Sequence, residues 1–194
     1  MTADFFISLD QSIFLFLNSL HNSAADFLFY WISDRFIWIP LYIILVFFLI
    51  KKWKKRVIPI LVALILCVTL TDQTCNVIKK SVERPRPSHE LALSGQVHLV
   101  AKPDGTLYTG GPYGFPSSHA ANSLALALFV IFYLSDRRKW FVILMLTWSL
   151  LLSYSRIYLG VHYLGDILVG WCVGLFWAFF FWWLLSKLSA RFAR

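Results

Sequence analysis

The sequence predicts an all-α fold, a polytopic bundle of transmembrane helices preceded by N-terminal helices that lie in the membrane interface. Three observations predict it. The 194 residues are 59% hydrophobic, 18% aromatic and only 14% charged, a balance far more apolar than that of an ordinary soluble domain. Apolar runs of about 17–25 residues, enough to cross the hydrocarbon as helices, recur along the chain. Short clusters of lysine and arginine flank those runs, which is the pattern of membrane topology. The whole chain, 1–194, reads as one membrane-embedded domain.

Residues 1–33 mix apolar and aromatic positions with Asp10, Asn18, His21, Asn22 and Asp26. That mixture suits helices lying in the interface better than a clean span, and it leaves a sixth crossing open. The segment has neither a positive n-region nor a small-residue cleavage site, so no removable signal peptide is expected. Five spans follow, near 34–50, 57–78, 118–134, 140–159 and 166–186. The first is short, and the second turns polar after Leu70 through Thr71, Asp72, Gln73, Thr74 and Asn76. Such a drift marks an end that faces protein or water. Cys67, Cys75 and Cys172 fall in or beside apolar runs without metal or disulfide spacing, and they read as buried small hydrophobes.

Charge gives the orientation. "KKWKKR" at 51–56, "DRRK" at 136–139 and the tail "KLSARFAR" fall on one side if five spans alternate, and that side is expected to be cytoplasmic. The net charge of +8 therefore reflects topology; no basic face large enough for a nucleic-acid duplex is visible. The connection 81–117 and the short one near 160–165 then face outward, to the periplasm or cell exterior. Yet Lys79, Arg84, Arg86 and Arg156 also sit on the outward side, against the topological rule. Something other than topology keeps them there.

Three clusters meet on that side. In "KKSVERPRP", Arg84 and Arg86 each precede a proline, which disfavours helix and forces an extended strip after the second span. Such a strip can present fixed guanidinium groups, although a basic anchor for lipid headgroups would read the same way. In "GGPYGFPSSHAANSLALALF", Ser117 and Ser118 stand directly before an apolar helix as N-cap candidates. A helix start offers free N–H groups and a positive dipole end, and it fixes His119 beside any bound anion. A plain capped helix is the alternative. In "SYSRIYLGVHYLGDILVGW", Gly160 and Gly165 mark a tight connection between the last two spans. If the chain is helical from His162, i, i+4 spacing brings Asp166 to its imidazole, fixing the tautomer and leaving the other nitrogen free to attack. Two histidines, several cations, a helix start and a carboxylate suit a phosphoryl group held for in-line attack.

At this point the residues resemble a known family. "K-x6-RP" (Lys79, Arg86, Pro87), "PSSH" (Pro116 to His119) and "SR-x5-H-x3-D" (Ser155, Arg156, His162, Asp166) are similar to the three-part signature of the type 2 phosphatidic acid phosphatase family. These are membrane lipid phosphatases related in their core to vanadium haloperoxidases. The motifs span 79–166, and the flanking runs fit the family's helical bundle. The resemblance implies that His162 is the nucleophile that forms a phosphohistidine, that Asp166 orients it and that His119 is the general acid. It implies that Lys79, Arg86, Ser117, Ser118 through its backbone N–H, and Arg156 hold the phosphate, and that no metal or other cofactor is needed. One departure is visible: Ser118 stands where the family often has glycine. The loop containing "VHLVAKPDGTLYTGGPYGF" lies outside the signature and is expected to bear on substrate choice.

The expected activity is therefore removal of a terminal phosphate from a membrane lipid at the outer face of a bacterial inner membrane. A lipid A phosphate or an isoprenyl diphosphate carrier is the favoured substrate, with phosphatidylglycerol phosphate and phosphatidic acid as alternatives. A lipid or anion transporter lined by Asp72 and the basic cluster is the reading of another class. The halves of the sequence show no internal repeat to support it. Oligomeric state is not legible.

Overall fold

The computed structural model describes residues 2–136 and 138–192. Arg137 of the "DRRK" cluster and the last two residues of the basic tail, Ala193 and Arg194, lie outside the described residues. The architecture is all-α. The helices are α1 (Thr2–Ser19), α2 (Ser23–Ser33), α3 (Ile39–Trp53), α4 (Val57–Val82), α5 (Ser118–Leu134), α6 (Lys139–Tyr158) and α7 (Leu164–Phe192). Among the described residues the only β pairings are two isolated bridges, Pro85 with Tyr113 and Ala101 with Leu107.

The stretches Arg35–Val82, Lys139–Tyr158 and Leu164–Leu188 are long and apolar enough to cross a membrane, and Ser118–Leu134 is a shorter apolar helix. The first stretch is broken into α3 and α4 at Lys54, whose φ of +49° reverses the chain. The expected span at 34–50 starts later, at Ile39. Asp34 caps a 3-10 turn over Arg35–Trp38, and Pro40 then opens α3, where a missing N–H costs nothing. The second span runs on to Val82 and ends on Glu83 in a left-handed cap with φ +51°. Lys79 thus lies on the last turn of α4 and not in the extended strip after it.

Helix α5 is the hub, packed against α3, α4, α6 and α7. Its closest partner is α7, and small residues make that approach possible. A Cβ added at Gly170 would stand 2.6 Å from the Ser117 carbonyl oxygen, and one at Gly174 would stand 2.4 Å from that of Ala121. Ala121 and Ala125 complete the small-residue seam on α5, both fully buried. This seam seats the start of α5 against the start of α7. The two motifs carried there are thereby brought together.

The bundle has a basic end and a motif end. Lys52, beside the α3–α4 connection, forms an ion pair with Asp136 in the α5–α6 connection, so both basic connections share one end. The motifs lie at the other. Helices α1 and α2 form a bent pair, with α2 packed on α6 and α1 packed on both α6 and α7. Asn18 clamps them by donating to the carbonyl oxygens of Tyr158 at 2.9 Å and His98 at 3.1 Å. Cys67 and Cys75 are buried as expected, but Cys172 is exposed. It lies on the outer face of α7 among Phe176, Phe179 and Trp183.

Candidate active site

The strip Arg84-Pro85-Arg86 cannot continue α4 and has few donors, since neither Pro85 nor Pro87, which opens a short 3-10 turn, carries an N–H. It pairs with the segment just before α5 instead. Arg86 N–H donates to the Pro112 carbonyl at 3.0 Å, and Gly114 N–H donates to the Arg84 carbonyl at 2.9 Å. Residues two apart in an extended strip share a face. Both guanidinium groups accordingly reach the same place, the connection between α6 and α7.

That connection is built by Gly160. With φ +72° it closes α6 in a Schellman arrangement, in which its N–H donates to Ile157 at 2.9 Å and the Val161 N–H donates to Arg156 at 3.1 Å. The turn carries His162 into the buried interior, and α7 begins only at Leu164. His162 is therefore outside the helix, contrary to the condition attached to the i, i+4 argument. The pairing forms all the same, because the Asp166 carboxylate caps the turn from within α7.

Each atom of the pair has a defined job. Asp166 Oδ2 accepts from the Tyr163 N–H at 3.1 Å and faces His162 Nδ1 at 3.2 Å, while its Oδ1 accepts from Arg84 Nη1 at 2.9 Å. Arg86 Nη1 stands 2.9 Å from His162 Nε2. An arginine can only donate, so Nε2 is the acceptor and Nδ1 carries the proton. The tautomer presents a lone pair on Nε2. Burial pushes the His162 ring well below its ordinary pKa, with the charges of Arg86, Arg156 and Lys79 adding to the effect. It is a neutral imidazole at neutral pH.

The cations around it differ in what holds them. Arg84 is neutralised, since it also donates to Asp10 Oδ2 at 2.8 Å and lies over the Tyr163 ring. Arg86 has only neutral partners, His162 and, at 3.1 Å, the Val161 carbonyl. Burial, then the nearby charge of Arg156, holds its pKa down to about 10, still fully protonated at pH 7. Arg156 is buried and donates to the Tyr108 hydroxyl at 3.0 Å and to the Ser33 hydroxyl. Burial disfavours the Tyr108 phenolate, but the charge and hydrogen bond of Arg156, with Ser33 and the charge of Arg86, together outweigh it and leave the phenol below its usual value. Half-buried Lys79 makes no hydrogen bond or ion pair within the described residues.

Ser117 is the N-cap of α5, as its position predicts, with its hydroxyl accepting from Ala120 N–H at 3.4 Å and its own N–H donating to the Asp166 carbonyl at 2.9 Å. Ser118 is the first helical residue, and its hydroxyl lies near the Cys75 thiol. The N–H groups of Ser118 and His119 precede any intrahelical acceptor, so they are free for an anion. His119 lies within the electrostatic reach of Arg156, His162, Arg86 and Lys79. All eight sequence-predicted residues thus gather at the motif end.

Four contributors were not singled out from the sequence as site residues. Arg84 shared the proline signal with Arg86 and could have been found by it. Asp10, which also accepts from the Gly165 N–H at 2.9 Å, Ser33 and Tyr108 carry no local pattern that would mark them. Gly114 has a steric reason for being glycine. A Cβ there would stand 2.9 Å from Asp166 Oδ2 and 3.2 Å from Arg86 Cγ.

The fold and site define a class: an integral membrane helical bundle that gathers a carboxylate-held histidine and unneutralised cations at one end. The chain belongs to the PAP2 superfamily, whose family profile matches residues 56–190. It is 36% identical over 191 residues to the lipid A 4'-phosphatase of Bacteroides thetaiotaomicron, covering 97% of this chain and 82% of that one. It is also 36% identical over 181 residues to the lipid A 4'-phosphatase of Porphyromonas gingivalis, covering 89% and 71%. Among solved structures, the transmembrane PAP2 type phosphatidylglycerolphosphate phosphatase from Bacillus subtilis superposes with a TM-score of 0.71 at 22% identity, over 94% of this chain and 87% of that one. That likeness establishes the fold.

Proposed function

We propose that the protein is a lipid phosphatase that removes a terminal phosphate from a membrane lipid through a phosphohistidine on His162, without a metal ion. One observation carries this reading. Three cations that make no ion-pair contact with a carboxylate among the described residues, Lys79, Arg86 and Arg156, act together on a neutral imidazole whose far nitrogen is held by a buried carboxylate. Mutual repulsion of the cations is relieved when a phosphate dianion enters.

Before substrate binds, Arg86 covers the Nε2 lone pair. An arriving phosphate draws the guanidinium onto its own oxygens and exposes the nitrogen. Arg156, Lys79 and the free N–H groups at the start of α5 take the remaining oxygens. Nε2 then attacks phosphorus in line, the P–O bond to the lipid breaks, and His119, protonated from water once the phosphate charge offsets the surrounding cations, gives that proton to the departing oxygen. Asp166 stabilises the positive charge that develops on the ring. Water completes the cycle by attacking the phosphohistidine, with His119 now accepting its proton, and free phosphate leaves.

The substrate is a lipid A phosphate, a reading supported by the two 36% identical relatives; an isoprenyl diphosphate is the second candidate, on the apolar character of the chain. The site faces the periplasm across a bacterial inner membrane. Placement of the Lys52–Asp136 pair and its basic neighbours at the opposite end supports that orientation.

Rate measurements on two leaving groups test the assignment. His162→Ala should abolish phosphate release from lipid and aryl phosphates alike, together with any acid-labile phosphoenzyme. His119→Ala should lose on the order of 10²–10⁴-fold on a lipid alkoxide and much less on a nitrophenyl phosphate, which leaves without a proton. A fully active His162→Ala removes the mechanism, and equal fractional losses for His119→Ala remove the acid assignment.

A further inference from the structure

Beneath the phosphate site lies a cavity of about 530 Å³, walled by α3, α4, α5 and α6. Its lining includes Ser118 and His119 but not His162, Arg86 or Arg156. In-line displacement requires the leaving group to stand opposite the nucleophile. Since His119, the proposed acid, lines it, the cavity is on the leaving-group side. It descends along α5 to Leu126, about 10 Å below His119 at 1.5 Å per residue.

Most of the wall is apolar, as a lipid's chains require, with Arg35, Thr69 and Ser123 among its polar members and one carboxylate-bearing rung below Ser118. Asp72 of α4 enters it, held by Asn76 Nδ2 at 2.9 Å and by Asn122 Nδ2 at 3.2 Å. A carboxylate inside a membrane bundle is costly unless it serves a ligand or a relay. The hydrogen bond from Asn122 also fixes the flip of its amide, turning Oδ1 away from Asp72. Among the described residues that oxygen is buried without a hydrogen-bond partner, as is Nε1 of Trp148, another lining residue. Asn122 is four residues beyond Ser118, one turn deeper on the same face of α5.

We infer that Asp72 and Asn122 form a specificity rung that accepts hydrogen bonds from the leaving group, selecting lipids whose phosphorylated alcohol carries a further O–H or N–H donor near the phosphate. Acylated sugars and glycerol-type alcohols meet that description. A prenyl alcohol, the leaving group of an isoprenyl monophosphate, does not, and would set the Asp72 carboxylate and its two asparagines against hydrocarbon. This deepens the phosphatase reading and rests on it. Sites built to hydrogen-bond a substrate reject the analogue that lacks the group.

The experiment compares kcat/KM for a glycolipid monophosphate and for an isoprenyl monophosphate, in one detergent, for wild type, Asp72→Leu, Asp72→Asn and Asn122→Ala. Wild type should prefer the glycolipid. Asp72→Leu should lower its kcat/KM by about 10- to 100-fold, the scale of a lost hydrogen bond to a charged group, while the isoprenyl rate holds or rises. Asp72→Asn should recover part of the loss, because an amide oxygen still accepts. Asn122→Ala should shift the same ratio in the same direction, and it keeps the test intact if Asp72→Leu does not fold. Equal losses on both lipids would make the rung structural and overturn the inference, as would a wild type that favours the isoprenyl phosphate while releasing phosphate from both. Release from neither lipid would instead bring down the phosphatase reading, and the rung with it.

Discussion

Replacing Gly114 by alanine tests the geometry of the proposed nucleophile with a single methyl group. Gly114 has no left-handed φ, so alanine fits its backbone and only space is at issue. The new Cβ would lie 2.9 Å from Asp166 Oδ2, 3.2 Å from Arg86 Cγ and 3.5 Å from His162 Nδ1. An unstrained carbon contact needs about 3.5 Å, so the carboxylate oxygen must move by about 0.6 Å. The His162–Asp166 contact is already 3.2 Å long, and a shift of that size carries it past hydrogen-bonding range. The imidazole then loses both its tautomer lock and its position. Misplacement of reacting groups on this scale costs about 10- to 100-fold, or roughly 1.4–2.7 kcal/mol in the barrier. The assay is steady-state phosphate release in detergent on a lipid and on a nitrophenyl phosphate, with the melting temperature of each protein as a control. Since the nucleophile is the group disturbed, both substrates should slow by the same factor. A Gly114→Ala protein that keeps more than half of wild-type kcat on both would refute the reasoning.

Three further outcomes are expected. The His162 ring should show no titration between pH 6 and 8 when followed by the NMR signal of its Cε1–H, because its native value lies below the ordinary value of about 6.5. The sign follows: the neutral ring's contribution to stability is complete above about pH 6.5 and declines only as pH falls toward the depressed native value. A midpoint near 6.5 would contradict the buried environment. Asp10→Asn should slow turnover about tenfold with little change in KM, since it loosens Arg84 and the start of α7 without touching the phosphate cations; unchanged kcat would detach α1 from catalysis. Gly174→Ala should lower the melting temperature in detergent, because its Cβ would meet the Ala121 carbonyl oxygen at 2.4 Å and force α5 from α7, an overpacking cost of about 1–3 kcal/mol. A melting temperature equal to wild type would mean that the seam yields freely.

The sequence disclosed the spans and the charged motifs because each is a local signal. An apolar run declares a helix, paired Arg-Pro steps declare an extended strip, and Pro116-Ser117-Ser118 declares a helix start. Borders moved where local chemistry competed with hydropathy. Asp34 and Pro40 delayed α3 to Ile39, and Lys79 stayed helical because α4 did not stop where its apolar run did. What stayed hidden was the partner of each charge. Asp10 meets Arg84 across 74 positions and Arg156 meets Ser33 across 123. Nothing local to Asp10 or Ser33 distinguishes them from ordinary interfacial residues. Gly114 was equally silent, since its reason is a neighbour contributed by α7.

These distant partners sort the cations into two groups with opposite tasks. Arg84 is shared between Asp10 and Asp166, so one positive charge stands against two negative ones, and a net negative charge remains behind His162. Arg86, Arg156 and Lys79 are offset by no carboxylate in ion-pair contact among the described residues, so their charge remains in front of it. The imidazole lies between the two fields. In the proposed attack on phosphorus, positive charge grows on the ring beside the carboxylates, while negative charge on the phosphoryl oxygens grows beside the cations. The second change runs downhill in a field that exists before the substrate arrives, whereas the first is opposed by burial and by the same cations until the phosphate offsets them, and the carboxylate behind the ring limits that cost. Exchanging the partners, with Arg84 freed and Arg86 neutralised, would keep the same residues and the same net charge but reverse this polarity. Composition and motif are therefore not enough to make the site; the long-range pairing by α1 and α2 completes it.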